Sequence, residues 1–475
     1  MCYTGDILDE KRDKYTLEYY VKGAKELERA GANIFAIKDM SGLLKPYAAR
    51  KLLKALKNEL TIPVHLHTHD TTGNGVATVL MAAESGVDIV DLAVNAMSGL
   101  TSQPALNSVV AALEHTDRAT GLDLDKIEEV NKYWETIRPI YQKFESDLKT
   151  GSTEIYKYEI PGGQYSNLKP QVESFGLGYK FKEVKEMYKK VNDMLGDLIK
   201  VTPSSKMVGD FAIFMVQNDL TPENILEKGA QLNYPDSVVS FFKGMMGQPL
   251  GGFPKDLQKI VLKGQEPITV RAGQLLEDED FDKNREYLKE KYEFEPTEED
   301  LLAYALYPKV YEDYLKAVRR NGDLWRMPSA IFFHGLMEGE TAEIPLDVGK
   351  NLIVTLIEVG KMDQNGERNV LFEINGNRRI VKIEDKNSVT STVKKKKTAM
   401  ADPMDEKQIG SSIPGKVVAV LVKEGQEIKK GDSLMVIEAM KMETNIVAHH
   451  SGKIKSILTE VSSIVESGEL VAVLE

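Results

Sequence analysis

The sequence predicts a multidomain fold in four parts. A parallel α/β region occupies residues 1–120, a mainly helical region 121–335 and a small β region 336–390; beyond a linker at 391–405, a β-sandwich or flattened barrel occupies 406–475. Three observations predict this. Short apolar runs alternate with amphipathic stretches at the N-terminal end. An apolar stripe of 3.6-residue period runs through the middle. Near the C-terminus two similar 24-residue stretches align without gaps.

In residues 1–120, strands are expected at Cys2–Thr4, Asn33–Ile37, Ile62–Leu66 and Val87–Val94, with helices at Leu17–Arg29 and Pro46–Leu56 between them. That order means a parallel sheet with right-handed crossovers. About four βα units fit, whereas a closed eight-fold barrel takes roughly 250 residues. The region is therefore a small open sheet or one half of a barrel. In the middle, Phe181, Val184, Met187, Tyr188, Val191, Met194, Leu195 and Leu198 recur at helical spacing. Residues 336–390 change to short apolar runs, with hairpin turns expected at Asn365-Gly366 and Asn375-Gly376. Lys394–Lys397, flanked by Ser, Thr, Asp and Pro, read as a solvated linker. Finally, "GKVVAVLVKEGQEIKKGDSLMVIE" (Gly415–Glu438) aligns without gaps on "GKIKSILTEVSSIVESGELVAVLE" (Gly452–Glu475). Gly431 meets Gly468, while Gly425 meets Ser462. Two similar sheet-forming halves imply a pseudo-symmetric body that folds by itself. Lys441 falls in the connection between the halves, where a hairpin tip is expected.

Composition narrows the function. The chain has 475 residues, 42% of them hydrophobic and 28% charged, enough for a large core. A net charge of −12 argues against general nucleic-acid binding. The single cysteine, Cys2, allows no internal disulfide and fits a reducing compartment. The first residues resemble neither a signal nor a transit peptide, and no apolar run reaches the length of a membrane span. The expected location is cytoplasmic.

Four places in the chain could carry chemistry. "IPVHLHTHD" sets His65, His67 and His69 on one face of a strand and its end. Ligands of parallel α/β folds bind at the carboxyl ends of strands. His67 and His69 fall there and could share a metal ion through imidazole nitrogens; from the pattern alone, packed or surface histidines explain it equally well. Lys38 also ends a strand, where it could pair with Asp39. "TPSSK" reads as an N-cap at Thr202 with Pro203 opening a helix. In "EAMKMET", Lys441 lies between Met440 and Met442. A lysine on a rigid tip suits covalent attachment of a swinging group.

"EAMKMET" and the repeat around it resemble the biotin-attachment domain of biotin-dependent carboxylases. "IKDMSGLLKP", "HLHTHDTTGNGVA", "AMSGLTSQP", "IPGGQYSNL" and "VTPSSKMVGD" resemble the carboxyltransferase region of the pyruvate carboxylase family. That resemblance implies the C-terminal half of a TIM barrel at 1–120, an associated helical domain at 121–335 and a domain with a tetramerisation or allosteric role at 336–390. It implies a biotinyl carrier domain at 406–475, with biotin on Lys441. It further implies a divalent metal, Zn or Mn, held by His67, His69 and a carbamylated Lys38. Thr202 would shuttle a proton between pyruvate and biotin, with Gln164 and Lys206 lining the site. The implied reaction is carboxyl transfer from carboxybiotin to pyruvate, giving oxaloacetate. The partners would be a biotin protein ligase and a biotin carboxylase domain, within a homotetramer. The family's aspartate metal ligand and its keto-acid-binding arginine belong upstream of Met1, and no ATP-dependent domain is visible. The chain is thus expected to be the C-terminal portion of a larger enzyme, inactive alone. Alternatives are a subunit of an oxaloacetate decarboxylase or transcarboxylase, or a non-catalytic biotin carrier.

Coexpression with a biotin ligase should label the wild-type chain on a streptavidin blot and leave Lys441→Arg unlabelled. A signal that survives the substitution would move the attachment site elsewhere.

Overall fold

The computed structural model describes residues 1–145, 148–322, 324–363, 366–385, 400–402, 405, 407–413, 415–439, 442–461, 463–466 and 468–475. Two compact units are present. The larger comprises Met1–Arg138, Glu145–Gln274 and Lys397–Glu475; the smaller comprises Pro139–Phe144 and Leu275–Lys396. Among the described residues no helix is long and apolar enough to cross a membrane.

The larger unit begins with α1 (Leu17–Arg29), β1 (Phe35–Asp39), α2 (Pro46–Glu59), β2 (Val64–Thr68), α3 (Gly75–Glu84) and β3 (Ile89–Val90). The Thr16 side chain caps α1 by accepting from Tyr19 N–H. Pro46 opens α2, where a missing N–H costs nothing. The buried face of α2, Ala48, Ala49, Leu52, Leu53 and Leu56, packs with Phe35, Ile37, Val64 and Leu66 in one core. The three strands pair in parallel in the order β1-β2-β3.

Two expected strands are shorter than their apolar runs. Cys2–Thr4 makes one parallel bridge, Cys2 to Lys38. Gly5 then turns the chain at a φ of +86°, so no ladder develops. Val87–Val94 pairs with β2 only at Ile89 and Val90, and Ala93 bridges Ala105 instead. Beside β3 lies a cleft of about 870 Å³, lined by His67, Asp91, Val79, Leu106, Val109 and Arg118 among others.

The helical part continues with α4 (Leu106–Leu113), α5 (Leu124–Ile137), α6 (Ile155–Tyr158), α7 (Gly162–Ser174), α8 (Phe181–Met194), α9 (Ser204–Gln217), α10 (Ile225–Lys228), α11 (Asp236–Lys243) and α12 (Lys255–Leu262). The apolar stripe is α8: Val184, Met187, Tyr188 and Val191 are buried there. α9 is buried almost all round from Met207 to Val216, so it is the central helix of this core. Phe241, Phe242 and Phe253 pack edge-on and tilted beside it.

The same core runs on into the C-terminal body. Its strands are β8 (Gln408–Gly410), β9 (Gly415–Val420), β10 (Glu427–Ile428), β11 (Ser433–Ala439), β12 (Met442–Val447), β13 (Gly452–Ile457), β14 (Ile464–Val465) and β15 (Leu470–Leu474), numbered after the four strands of the smaller unit. They form two four-stranded sheets, β10-β13-β15-β8 and β12-β11-β9-β14. The repeat explains both orders. β9 and β13 begin at equivalent positions, as do β10 and β14, and β11 and β15. Exchanging the halves converts one sheet into the other, with β8 standing for β12. Gly425, at a φ of +81°, gives its N–H to the Ile454 carbonyl at 2.7 Å. Its repeat partner Ser462 lies outside the described residues. β11 and β12 pair up to Ala439 and Met442. Met440 and Lys441, between them, lie outside the described residues.

The smaller unit contains α13 (Phe281–Tyr292), α14 (Glu298–Leu306), α15 (Pro308–Asn321) and α16 (Ser329–His334), then β4 (Thr341–Asp347), β5 (Lys350–Met362), β6 (Glu367–Ile374) and β7 (Asn377–Glu384). Thr297 and Asp300 form a capping box at the start of α14. The strands make an antiparallel meander, β4-β5-β6-β7. Asn375 and Gly376 both have positive φ, as a two-residue hairpin turn demands. Asn365 of the other expected turn lies outside the described residues, as do Lys394–Lys397.

Phe242 is fully buried in the shared core. Phe242→Ala should cost about 3–5 kcal/mol, read as a lowered urea midpoint. A loss below about 1 kcal/mol would mean that this core tolerates the cavity.

Candidate functional site

Burial alternates along β1 and β2. Phe35, Ile37 and Asp39 of β1, and Val64, Leu66 and Thr68 of β2, are buried toward the helices. Lys38, His65 and His67 therefore share the opposite face. The register pairs Lys38 with His67, and His65 with both Ala36 and Ile89. Asp91 follows β3 directly and gives its N–H to the Leu66 carbonyl at 3.1 Å. Lys38, His67 and Asp91 thus form a row across the carboxyl ends of three strands.

The two predicted histidines meet. His67 Nε2 and His69 Nε2 are 3.3 Å apart. His67 Nδ1 lies 2.8 Å from Asp91 Oδ2, and His69 Nδ1 lies 2.7 Å from the Thr101 carbonyl oxygen. A carbonyl only accepts, so His69 carries its proton on Nδ1. His65 does not join them. Its Nε2 sits 2.8 Å from Asp91 Oδ1, at ion-pair distance but without hydrogen-bond alignment. Burial lowers the pKa of His69, the Thr101 bond opposes this, and His67 and Lys38 add to the lowering. Burial works to raise the pKa of Asp91, but its contacts with His67 and His65 leave it below the usual carboxylate range.

The loops carrying the quoted motifs build the walls. Asp39 does not pair with Lys38: its carboxylate accepts from Leu43 N–H, Leu44 N–H and the Thr68 hydroxyl, each at 2.9 Å. Gly42, at a φ of +67°, passes so close to His69 that a Cβ would lie 2.6 Å from its carbonyl oxygen. α7 starts at Gly162, where a Cβ would lie 3.5 Å from His69 Nδ1. That puts the helix carrying Gln164 beside the histidines. Gln164 packs its amide against Gly209 of α9, where a Cβ would lie 2.6 Å from Nε2. Lys206 is exposed near the start of α9.

Thr202 corrects an expectation. It caps nothing: α9 begins at Ser204, Pro203 takes the cap position, and no side-chain cap bond forms. The Ser204 hydroxyl instead donates to the Ile199 and Val201 carbonyls at 2.7 Å. Thr202 is left exposed. Its segment is tied back toward the strand ends. Lys200 N–H donates to Thr4 Oγ1 at 3.2 Å, and Cys2 Sγ lies 3.7 Å from the Lys200 carbonyl oxygen. Cys2 in turn bridges Lys38.

The sequence reading missed what anchors that segment. Lys200 is 2% exposed, with Nζ bonded to Asp197 and 2.9 Å from Glu159 Oε2. Arg12 pairs with Glu159 and lies 3.7 Å from Asp197. The four charges balance. Burial pulls the Lys200 ammonium down to about 8 against the pull of Asp197. The Asp197 carboxyl, less deeply buried, is held below its usual range by Lys200 and Arg12 despite burial. The apolar patterns that locate strands carry no signal for these contacts. Asp91 and Thr101 were missed for the same reason.

Comparisons with known proteins cover the chain in sections. A family model described as HMGL-like matches residues 9–133, one described as a conserved carboxylase domain matches 155–355, and one described as a biotin-requiring enzyme matches 406–474. The three matches follow one another along the chain without overlap. The chain is similar over its whole length to the C-terminal part of pyruvate carboxylases. It is 50% identical over 475 residues to pyruvate carboxylase of Bacillus subtilis (strain 168), and 49% identical over 476 residues to that of Staphylococcus aureus (strain Mu50 / ATCC 700699). In both cases the match takes in 100% of this chain and 41% of the relative. The chain thus spans about two fifths of the length of these curated relatives. The carboxyl transferase domain of Rhizobium etli pyruvate carboxylase superposes with a TM-score of 0.74 at 46% identity, covering 81% of this chain and 65% of that one. The complete multifunctional pyruvate carboxylase of Rhizobium etli gives 0.73 at 43% identity, covering 100% and 43%.

Removing the Lys200 ammonium would leave the Glu159 and Asp197 carboxylates with Arg12 as their one remaining ion-pair partner among the described residues. Lys200→Met should destabilise the chain by about 3–5 kcal/mol in equilibrium denaturation. A melt unchanged from wild type would show that the network contributes no net stability.

Proposed function

We propose that this chain, as part of a longer enzyme and inactive alone, supplies groups for the second half-reaction of a pyruvate carboxylase, transfer of a carboxyl group from biotin to pyruvate to give oxaloacetate. The observation that carries the proposal is the pair of imidazole nitrogens at the strand ends. With each Nδ1 engaged, the two Nε2 lone pairs face one another at 3.3 Å. Two nitrogens bound to one tetrahedral cation at about 2.0–2.1 Å stand roughly 3.3–3.4 Å apart, so the pair fits one divalent ion, Zn or Mn. Among the described residues no three His, Cys, Asp or Glu side chains cluster as a ready-made metal site. Lys38, beside His67 in the register, would supply a further donor once carbamylated. An ammonium has no lone pair; a carbamate is an anionic oxygen ligand.

The ion would polarise the keto acid as a Lewis acid. Biotin, amide-linked to Lys441 between Met440 and Met442, would bring the carboxyl group. Thr202 would accept a proton from the methyl carbon of pyruvate and pass it on toward biotin, acting as a relay rather than a strong base. Its exposed hydroxyl, free of any capping duty, supports this role. Gln164 and Lys206, on the two helices that meet at Gly209, would flank the bound substrates. Structures of the Rhizobium etli carboxyl transferase domain with pyruvate and biocytin support the substrate class. A biotin protein ligase, a biotin carboxylase domain and assembly into a homotetramer complete the proposal. A cytoplasmic setting and service in oxaloacetate supply go with it.

In a longer protein supplying the remaining barrel strands and an ATP-dependent biotin carboxylase, Thr202→Ala should abolish oxaloacetate formation and leave metal content unchanged. Because Thr202 caps no helix, its stability should change by less than about 0.5 kcal/mol. Full activity in the folded variant would remove Thr202 from the chemistry.

A further inference from the structure

Three histidines share one face of β2 and its end, yet the site brings only two of them together. The difference lies in one carboxylate. Asp91 Oδ2 is 2.8 Å from His67 Nδ1, and Asp91 Oδ1 is 2.8 Å from His65 Nε2. We infer that Asp91 is the positioning residue of this centre: it holds His67 with Nε2 bare and aimed at His69, and it keeps His65 out of the ligand set. The inference rests on the metal reading above.

The chemistry is direct. An ionised carboxylate only accepts, so it selects the His67 tautomer protonated on Nδ1. The opposite nitrogen is then free to bind a cation, and the neighbouring negative charge raises its basicity. Thr101 does the same for His69 through its carbonyl. Asp91 is not itself a ligand, because it faces the nitrogen of His67 turned away from His69. His65 is excluded twice. Its Nε2 faces Asp91 Oδ1 at 2.8 Å and not His69, and it stands two residues, about 6.7 Å, back along the strand from His67. Asp91 is held by its own backbone bond to Leu66 and is partly exposed, so replacing it leaves no large cavity.

The test uses the full chain, metal-free and labelled with 15N-histidine. Long-range proton–nitrogen spectra should show His67 protonated on Nδ1 in the wild type, and a mixture of tautomers in Asp91→Ala. Titration with Zn2+ against a competing chelator should show one site in the wild type. It should be lost in His67→Ala and His69→Ala and weakened about 10–100-fold in Asp91→Ala. Asp91→Asn, whose amide oxygen can still accept from Nδ1, should lose less. His65→Gln should bind like the wild type. Wild-type binding that Asp91→Ala retains in full, or an unchanged His67 tautomer, overturns the inference alone. A wild type that binds no Zn2+ at His67 and His69 overturns the metal reading and this inference with it. Loss of the site in His65→Gln would make His65 a ligand and refute the division.

Discussion

The parallel register of β1 and β2 is the constraint on which the candidate site depends. Side chains alternate across a sheet with a period of two, so a slip of one residue would send Lys38 and His67 to opposite faces. The slip is prevented from behind. Phe35, Ile37, Val64 and Leu66 are buried against α2, and Asp39 and Thr68 are hydrogen-bonded to each other. The helical core is therefore what fixes the polar row in front. Loops then close around it: Gly42 allows the backbone to approach His69, and α7 arrives at the same place through Gly162.

Much of this was legible in the sequence, and the reason is periodicity. α1 occupies Leu17–Arg29, as its pattern requires, and the α8 stripe is buried as its spacing implies. The C-terminal repeat foretells two sheets exchanged by one operation, because similar apolar and turn patterns at a constant offset take equivalent places. His67 and His69 were legible because two histidines two residues apart at a strand end must project together. What stayed hidden is long-range and polar. Asp91 reaches the site because β3 lies next to β2, and no local pattern announces which carboxylate a strand order will deliver. Arg12, Glu159 and the Asp197–Lys200 stretch come from three separate segments. Thr202 misled because Thr-Pro is a common helix opening; here the helix starts one residue later and Ser204 satisfies the nearby carbonyls. β3 leaves β2 after Val90 and Ala93 bridges Ala105 instead, so an apolar run of eight residues yields a strand of two.

The site is assembled around charges whose partners are fixed before any substrate arrives. Asp39 serves the loop after β1, Asp91 the histidines, and the network around Lys200 the segment before α9. Each carboxylate is held by groups from another element, so the polar groups cross-link the strand ends that the apolar core only stacks. This is the division of labour expected where a rigid scaffold presents reactive groups on loops.

In the C-terminal body, β10 from the first half pairs with β13 from the second, and β14 from the second pairs with β9 from the first. Neither half can complete a sheet from its own strands. β15 lies between β13 and β8, so the sheet holding it has a gap at its centre until Leu474 has been made. During synthesis, this body cannot close before β15 is available to pair. A nascent chain stalled anywhere within the second repeat would display unpaired edges instead of a closed sandwich. Recognition of the folded body, and not merely of a sequence within it, would therefore require both halves of the repeat.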